Sequence, residues 1–468
     1  MLHTSTSKRT MEAGNFLHAL KIREDLCIGC SHCMNVCPTE AIRVKNGKSV
    51  LFGERCVDCG ECFRVCPVGA IIIDHDDFNH IFDYKYRVAL VPAVFTGQFP
   101  EDISLRQIHS VILELGFTHI YEVENGVEIL ADEINQYTSL NSGTKPLISS
   151  FCPAIIRLIQ VKFPALVDHI IRLKPPLDIS ANFVKKELTT RGIPPEEIGI
   201  FYVTPCAAKI AAIKDPVGEI SSAITGVINM DFLYNKVYRL VKQRNNQSCT
   251  VPLSGKLSGK AICWALTNGE ASHIKGRCLA IDEIHNVIEF LEKIENEEIT
   301  DIDFLELRAC DESCAGGVLT TSNRFLTVER LRNLADSYRE QNGPLHPDAF
   351  RKIISEKDYL NERISIDPIK PRSILKLDEN MAEAMKKMEK VNRIMTLLPM
   401  VDCGICGAPS CLALAQDIVQ GEAGIQQCIF IQKIMEQKGE MSLDDSIEVM
   451  QSIWGFGKTN KYRDIKGI

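Results

Sequence analysis

Cysteine is the residue type in this sequence with the greatest potential for chemistry, because 19 cysteines occur among 468 residues. Two runs near the N-terminus repeat the spacing Cx2Cx2Cx3C, each followed by proline. This spacing is typical of paired 4Fe-4S clusters in which the fourth cysteine of each run binds the other cluster. The first predicted cluster uses Cys27, Cys30, Cys33 and Cys66. The second predicted cluster uses Cys56, Cys59, Cys62 and Cys37.

A short segment between the two runs supports this interpretation. Residues 41–53 read AIRVKNGKSVLFG, and two short strands joined by Asn-Gly are the strongest local signal for a β-hairpin. We therefore predict a turn at Asn46-Gly47 and a ferredoxin-like domain with two 4Fe-4S clusters at residues 21–80.

A third group of cysteines lies near the C-terminus with the spacing Cx2Cx4Cx16C. Its members are Cys403, Cys406, Cys411 and Cys428. Four thiolates without a nearby histidine favour an iron–sulfur cluster or zinc. The segment resembles the small Fe-S domain of RnfB-type and corrinoid iron–sulfur proteins, which implies a third 4Fe-4S cluster. We expect this helical domain at residues 396–432, a linker helix at 371–395, and tails at 1–20 and 433–468.

Composition limits the class of protein. The formal net charge of −8 disfavours a nucleic-acid partner. No apolar run is long enough for a membrane span, and the N-terminal residues lack the apolar core of a signal peptide. Numerous cysteines in such a chain indicate metal ligation rather than disulfides. We therefore expect a cytoplasmic, globular protein.

The middle of the chain, residues 85–370, alternates β-rich and helical patterns, which favours an α/β domain with mainly parallel sheets. The candidate strands are residues 86–95, 119–123, 145–150, 198–203, 261–266 and 303–309. Together with the flanking cysteine domains, this pattern predicts an α/β multidomain fold.

Four of the cysteines in this region follow candidate strands. They are Cys152, Cys206, Cys310 and Cys314. Ligands of α/β sheets bind at the carboxyl ends of strands, where helix N-termini stabilise negative charge. A cluster held by four thiolates is anionic, so we predict that these cysteines form one site.

The segments SFCP (150–153), TPCAAK (204–209) and ELRACDESCAGG (306–317) resemble the three motifs of the FeFe hydrogenases. The resemblance covers roughly residues 21–350. It implies that the four cysteines hold the 4Fe-4S part of an H-cluster. Cys314 would bridge to a two-iron subsite with CO, cyanide and azadithiolate ligands, and Lys209 would hydrogen-bond a cyanide.

Several positions depart from the family pattern. Phe151 replaces the cysteine that relays protons, and a phenyl ring can neither donate nor accept a proton. Ala212 replaces a glutamate in the second motif. At positions expected around the cofactor, Thr204 and Arg308 replace methionines, and Ser313 replaces a glycine. These losses resemble the sensory branches of the family, groups C and D, and the C-terminal Fe-S domain favours group D.

The resemblance implies slow, reversible dihydrogen oxidation and proton reduction in a sensing role. The implied partners are dihydrogen and protons, a redox partner such as ferredoxin or a signalling protein, and the hydrogenase maturation enzymes. An alternative remains open at this point. The chain could be a non-catalytic iron–sulfur protein of electron transfer or cluster assembly that lacks the two-iron subsite.

Overall fold

The computed structural model describes residues 17–141, 143–244, 257–340, 348–372 and 381–459. Within these ranges the chain forms a small N-terminal cysteine-rich unit, a large α/β unit and a helical C-terminal unit. None of the helices in the described ranges is both long and apolar enough to cross a membrane.

The N-terminal unit consists of short strands and helices around the cysteine runs. Its elements are β1 Leu20–Ile22, α1 His32–Asn35, β2 Ile42–Lys45, β3 Lys48–Leu51, α2 Glu61–Val65 and β4 Ile71–Ile73. Strands β2 and β3 pair antiparallel from Ile42 with Leu51 to Lys45 with Lys48. The predicted turn is confirmed, since Asn46 and Gly47 have φ angles of 52° and 71°, as this two-residue turn requires.

The large unit alternates strands and helices. Its first part contains β5 Tyr86–Val91, α3 Ala93–Gly97, α4 Leu105–Glu114, β6 His119–Glu122, α5 Val127–Leu140, β7 Leu147–Ile148, α6 Pro153–Lys162 and α7 Pro176–Thr190. Its second part contains β8 Ile198–Thr204, α8 Ala207–Lys214, β9 Gly226–Asn229, α9 Met230–Gln243, α10 Gly259–Cys263, β10 Cys278–Ile281, α11 Ile284–Glu295, β11 Phe304–Leu307, α12 Arg324–Glu340, α13 Asp348–Ser355 and α14 Lys357–Asn361.

Two parallel sheets organise this unit. One has the strand order β6-β5-β8-β9 and the other the order β10-β11-β7, and every pairing in both is parallel. All seven residues of β8 are buried, because helices cover both faces of a parallel sheet. The predicted α/β multidomain fold with mainly parallel sheets is confirmed.

One candidate strand was wrong, and two observed strands were missed. The apolar run at 261–266 begins within helix α10 and does not form a strand. Ser258 caps this helix by accepting a hydrogen bond from the amide of Ala261. A short buried apolar run has the same composition in a helix and in a strand. The four-residue strands β9 and β10 were too short to produce a clear alternating pattern.

The C-terminal unit consists of helices. They are α15 Met381–Met395, α16 Cys411–Val419, α17 Ile429–Lys438, α18 Leu443–Trp454 and α19 Phe456–Thr459. The expected tail at 433–468 is therefore wrong for residues 433–459, because a capping box at Ser442 and Asp445 starts α18 and Ile453 is buried. Residues 460–468, and residues 1–16 of the expected N-terminal tail, lie outside the described residues.

The C-terminal unit packs against the hairpin of the N-terminal unit. Arg43 on β2 and Asp417 on α16 form a buried bidentate ion pair of 2.6 and 3.1 Å. The amide of Val44 donates to the carbonyl of Gly407 at 2.9 Å. This contact brings the third cysteine group next to the N-terminal cysteine runs, although the two lie more than 300 residues apart in sequence.

Candidate functional site

The four cysteines of the central motifs meet at one edge of the large unit. Cys152 and Cys206 occupy the N-cap positions of α6 and α8, which follow β7 and β8. Cys310 and Cys314 lie in the loop after β11. Burial, together with the charges of Cys314 and Cys152, raises the pKa of Cys206 to about 12. Such mutual influence requires that the thiols lie close together, as the strand-end pattern predicted.

Close backbone packing joins the second and third motifs. A Cβ atom on Gly317 would overlap the carbonyl oxygen of Pro205, and one on Gly316 would overlap that of Asp311. The amide of Leu319 also donates to the Pro205 carbonyl at 2.9 Å. Only glycine allows the chain to approach itself this closely beside Cys206.

This packing gives a first testable expectation. We expect Gly317→Ala to lower the free energy of unfolding by about 3 kcal/mol, near the upper end for overpacking, and to reduce iron content. Denaturant unfolding and iron analysis measure these effects. Gly143→Ala is the matched control, because its Cβ would meet no atom within 4 Å. Equal stability of the two variants would contradict the expectation.

Lys209 and Cys314 form one wall of an interior cavity. The Lys209 ammonium donates to the Cys314 sulfur at 3.3 Å. Burial by itself would lower the pKa of Lys209, but the nearby Cys314, Tyr202 and Cys206 raise it overall. The cavity holds about 100 Å³. Trp264, also in its wall, has a buried indole nitrogen without a hydrogen-bond partner among the described residues.

Phe151 is held between two cationic side chains. The ammonium of Lys209 lies 4.6 Å from the centre of its ring, and the guanidinium carbon of Arg308 lies 4.0 Å from the same centre. Both distances fall within the range of cation–π attraction. The ring lines the cavity, so the position expected to relay protons is filled by an apolar, charge-stabilised side chain.

Arg308 belongs to a buried ionic network. Its guanidinium donates to Glu270 at 2.9 Å, and Ser149 donates to the same carboxylate at 2.6 Å. Glu306 lies 3.5 Å from the guanidinium and accepts hydrogen bonds from the amides of Asn268, Glu270 and Ala271. One terminal nitrogen of Arg308, Nη1, has no partner among the described residues. The network fixes Arg308 against Phe151.

The other two predicted cofactor-contacting positions hydrogen-bond to neighbouring protein groups. Thr204 donates to the carbonyl of Cys206 at 3.0 Å, so its hydroxyl faces backbone. Ser313 lies 3.0 Å from the hydroxyl of Thr267 and has a φ of 52°, a conformation that favours the glycine of the family motif. Both side chains therefore position the cysteine loops.

The N-terminal cysteines form the two predicted groups. Burial raises the pKa of Cys33, and it is raised further by the nearby charges of Cys30, Cys27 and Cys66. Burial raises the pKa of Cys59 well above its usual value, with further contributions from Cys62, Cys37 and Cys56. The fourth cysteine of each run thus lies with the other run, and the exchange of ligands between two clusters stays a prediction.

The second of these groups lies directly against the central site. Arg64 on α2 donates to the carbonyl of Gly316, beside Cys314. Asp58, between Cys56 and Cys59, accepts from Arg157 on α6 at 2.6 Å, and both side chains are fully buried. The arrangement puts the ferredoxin-like unit in contact with the third cysteine motif and with helix α6, which follows the first.

The C-terminal cysteines also converge. Cys403, Cys406, Cys411 and Cys428 line one small cavity. Burial raises the pKa of Cys406 to about 11, and the other three thiols contribute to this shift. Their placement is suited to one metal centre with four thiolate ligands.

Sequence reasoning missed several residues around the central cavity. Asp178, Glu124 and Trp264 line it, and Glu270 anchors Arg308. Asp178 follows two prolines that begin α7, a pattern that signals a helix start and nothing more. No local pattern marked the other three.

Family models match three parts of the chain. Residues 85–231 match "Iron only hydrogenase large subunit, C-terminal domain". Residues 26–71 match "4Fe-4S dicluster domain". Residues 398–430 match a model for an Fe-S cluster domain.

Individual relatives agree with these matches. Iron hydrogenase 1 of Clostridium pasteurianum is 24% identical over 346 residues, which is 66% of this chain and 57% of that protein. A cytosolic Fe-S cluster assembly factor, nar1 of Aspergillus fumigatus, is 31% identical over 120 residues, 24% of this chain and 20% of that protein. This chain therefore spans well under two thirds of the length of either relative.

Among solved structures, the FeFe-hydrogenase HydA1 from Chlamydomonas reinhardtii is similar with a TM-score of 0.46 and 15% identity, covering 61% of this chain and 94% of that one. The sequence matches are more informative about relationship. Residues 85–231 are similar to the large-subunit domains of the iron-only hydrogenases, and the segments before and after them match the models of a 4Fe-4S dicluster domain and of an Fe-S cluster domain.

Proposed function

We propose that the protein is an FeFe-hydrogenase-like iron–sulfur protein that slowly interconverts dihydrogen with protons and electrons, in a sensing role. The observation that carries the proposal is the contact between Lys209 and Cys314 at 3.3 Å in the wall of a cavity of about 100 Å³. A buried ammonium beside an open cavity is costly unless an anion faces it.

The residues at this cavity are compatible with a two-iron group. The thiolates of Cys152, Cys206, Cys310 and Cys314 would hold a 4Fe-4S cluster, and Cys314 would also hold the group. The ammonium of Lys209 would supply a donor for its ligands. So would the indole N–H of Trp264, for which the described part of the chain offers no acceptor. When bound, such a group supplies an open iron position and a nearby base, which together split or form dihydrogen.

The chain's own residues would determine how slowly this happens. Phe151 excludes water from the cavity wall and cannot carry a proton. Arg308 holds this ring in place and is itself tied to Glu270. General acid–base groups contribute typically 10²- to 10⁴-fold to a rate. The loss of such a group at position 151 therefore supports low turnover. Low turnover suits a sensor of dihydrogen better than a metabolic enzyme. The sensory-branch assignment, close to group D, is part of this proposal.

Electrons would leave through the neighbouring cysteine groups. The ferredoxin-like unit contacts the Cys314 loop through Arg64, and the C-terminal unit contacts the ferredoxin-like unit through Arg43 and Asp417. We propose three further 4Fe-4S clusters, at the cysteine sets described above. The C-terminal centre, which we assign to the RnfB and corrinoid-protein type, would face a redox or signalling partner. Maturation enzymes would insert the two-iron group, in the cytoplasm.

Infrared spectroscopy after loading with a synthetic two-iron precursor tests the proposal. We expect bands of protein-bound CO and cyanide, and slow exchange between dihydrogen and deuterium oxide. The control is Cys314→Ser, which should retain the ferredoxin clusters and lose these bands. A wild-type protein with complete 4Fe-4S clusters and no such bands would overturn the proposal.

A second candidate function follows from the similarity to the cluster assembly factors. In that case the four central cysteines would hold a 4Fe-4S cluster without the two-iron group. Iron analysis distinguishes the two, because four 4Fe-4S clusters account for about 16 irons and the subsite adds two. The Lys209 contact favours the first candidate, since a lone 4Fe-4S cluster needs no buried ammonium on the cavity side.

A further inference from the structure

The cavity beside Cys314 contains acidic side chains to which the proposed function has so far given no role. Asp178, Glu124 and Glu219 line it together with Lys209. Most of the remaining wall is apolar and includes six prolines. Two positions where the hydrogenase family has proton-carrying groups are Phe151 and Ala212 in this chain, and both of them line the same cavity. A proton released here therefore needs a different first acceptor.

Asp178 is well placed to be that acceptor. It lies in the first turn of α7 and is half-buried in the cavity wall. Burial, reinforced by the negative charge of Glu219, raises the pKa of Asp178 to about 7, although Lys174 and Lys209 act in the opposite direction. A carboxyl group with a pKa near the working pH can accept and release a proton with little driving force.

Glu219 links Asp178 to solvent. Its carboxylate pairs with the ammonium of Lys174 at 2.8 Å, and these two side chains are 22% and 13% exposed. The next residue, Ile220, is fully exposed. Glu219 therefore lies where the cavity reaches the surface, and it is close enough to Asp178 to affect its protonation.

Glu124 is less suitable as the outlet. One of its carboxylate oxygens accepts a hydrogen bond from the amide of Ala93 at 2.8 Å. The other has no partner among the described residues, and the side chain is 3% exposed. Burial raises the pKa of Glu124 to about 7 as well, so it can share a proton inside the cavity but has no surface of its own.

We propose that Asp178 carries protons between the group held at Cys314 and solvent, by way of Glu219. The inference rests on the proposed function. Dihydrogen yields two protons and two electrons. The electrons pass to the 4Fe-4S clusters and then to a redox partner protein. Each proton forms an O–H bond on the Asp178 carboxylate, and that bond breaks as the proton passes to Glu219 and then to water.

A simpler role for Asp178 makes different predictions. An acidic residue in the first turn of a helix stabilises the helix dipole. That role would cost stability when the charge is removed, but it would not change the pH dependence of exchange. Under that role glutamate would restore stability better than asparagine, but the two variants would exchange at the same rate.

The test compares Asp178→Asn and Asp178→Glu in the full-length protein carrying its clusters and the two-iron group. We expect Asp178→Asn to slow the exchange between dihydrogen and deuterium oxide at least about 100-fold, which is the lower end of the acid–base contribution. The variant should also lose the pH dependence of this rate that is centred near pH 7. Asp178→Glu should recover most of the rate. Asp231→Asn is the matched control, because it also removes a carboxylate from the first turn of a helix but lies outside the cavity lining.

A second measurement does not depend on activity. In protein with 4Fe-4S clusters alone, pH-difference infrared spectra should contain carboxyl signals titrating near pH 7 from both Asp178 and Glu124. Glu124 should contribute its signal in every variant. The signal of Asp178 should disappear in Asp178→Asn and persist in Asp231→Asn. Glu219→Gln, on the solvent side, should slow exchange without removing that signal. When the same variants carry the two-iron group, their CO and cyanide bands should be the same as those of the wild type.

The outcomes separate the two proposals. Normal CO and cyanide bands with exchange within about threefold of wild type in Asp178→Asn would overturn the role of Asp178 and leave the proposed function intact. Absence of those bands in the wild-type protein would overturn both. If Asp178→Asn does not fold, an unchanged rate and pH profile in Glu219→Gln would count against the route.

Discussion

Phe151→Cys is expected to raise the rate of exchange between dihydrogen and deuterium oxide by about 10²-fold or more. The reason is that a thiol at this position can pass a proton, whereas the phenyl ring cannot, and acid–base groups contribute typically 10²- to 10⁴-fold. The side chain lines the cavity beside Lys209 and Cys314, so the new thiol would face the same space. The measurement is isotope exchange by the loaded protein at fixed pH.

The matched control for this variant is Phe151→Ala. It removes the same ring and the same contacts with Lys209 and Arg308, but it introduces no proton carrier. Each lost cation–π contact costs about 1–2 kcal/mol, so both variants should be similarly less stable. If alanine accelerates exchange as much as cysteine does, access of water rather than proton relay limits the rate.

Arg308 affects how this result is interpreted. Its guanidinium packs against the ring at 4.0 Å, and after the substitution it would face the thiol and favour the thiolate. The double variant Phe151→Cys/Arg308→Met restores the family residues at both positions, and we expect it to exceed the single variant. Phe151→Cys should also make exchange less sensitive to Asp178→Asn, because two routes would then be available.

Lys209→Met is expected to abolish retention of the two-iron group while leaving the 4Fe-4S clusters in place. The ammonium of Lys209 lies 3.3 Å from the sulfur of Cys314. Removing one partner of a buried ion pair costs about 3–5 kcal/mol, which corresponds to about two to three and a half orders of magnitude in affinity. Methionine keeps most of the aliphatic volume, so the cavity should not collapse. The intensity of the CO and cyanide bands after loading and desalting measures the loss.

Lys214→Met provides the control for this prediction. It lies on the same helix, α8, and its ammonium pairs with Asp76 at 2.8 Å away from the cavity lining. We expect its band intensity to equal that of the wild type. Equal retention in Lys209→Met would mean that this lysine does not hold the two-iron group, and it would contradict the prediction.

The hairpin at Asn46-Gly47 and the strand β8 were predictable because their signals are local. A two-residue turn with positive φ, or seven successive buried residues, is encoded within one stretch of chain. The helix α10 was misread as a strand for the opposite reason. Its apolar residues pack against α12, far along the chain, and that packing, not the local composition, determines its conformation.

The C-terminal segment illustrates the same limit. The apparent tail beyond residue 433 forms α17 and α18 because Ile453 and Trp454 pack near the hairpin. The amides of Asn46 and Gly47 donate there to the carbonyls of Ser452 and Ile453. Sequence analysis could not foresee contacts between segments some 400 residues apart.

By itself, the sequence predicted the cysteine groups. The N- and C-terminal groups follow from ligand spacing within each run, and the central group follows from cysteines placed after candidate strands. It also predicted, by family resemblance, that Phe151 occupies the position of a proton relay. Only the tertiary structure decided that Arg308 and Lys209 enclose this ring and that Asp178 and Glu219 share the cavity. Those side chains come from separate elements, and their proximity results from the packing of helices and strands rather than from any local pattern.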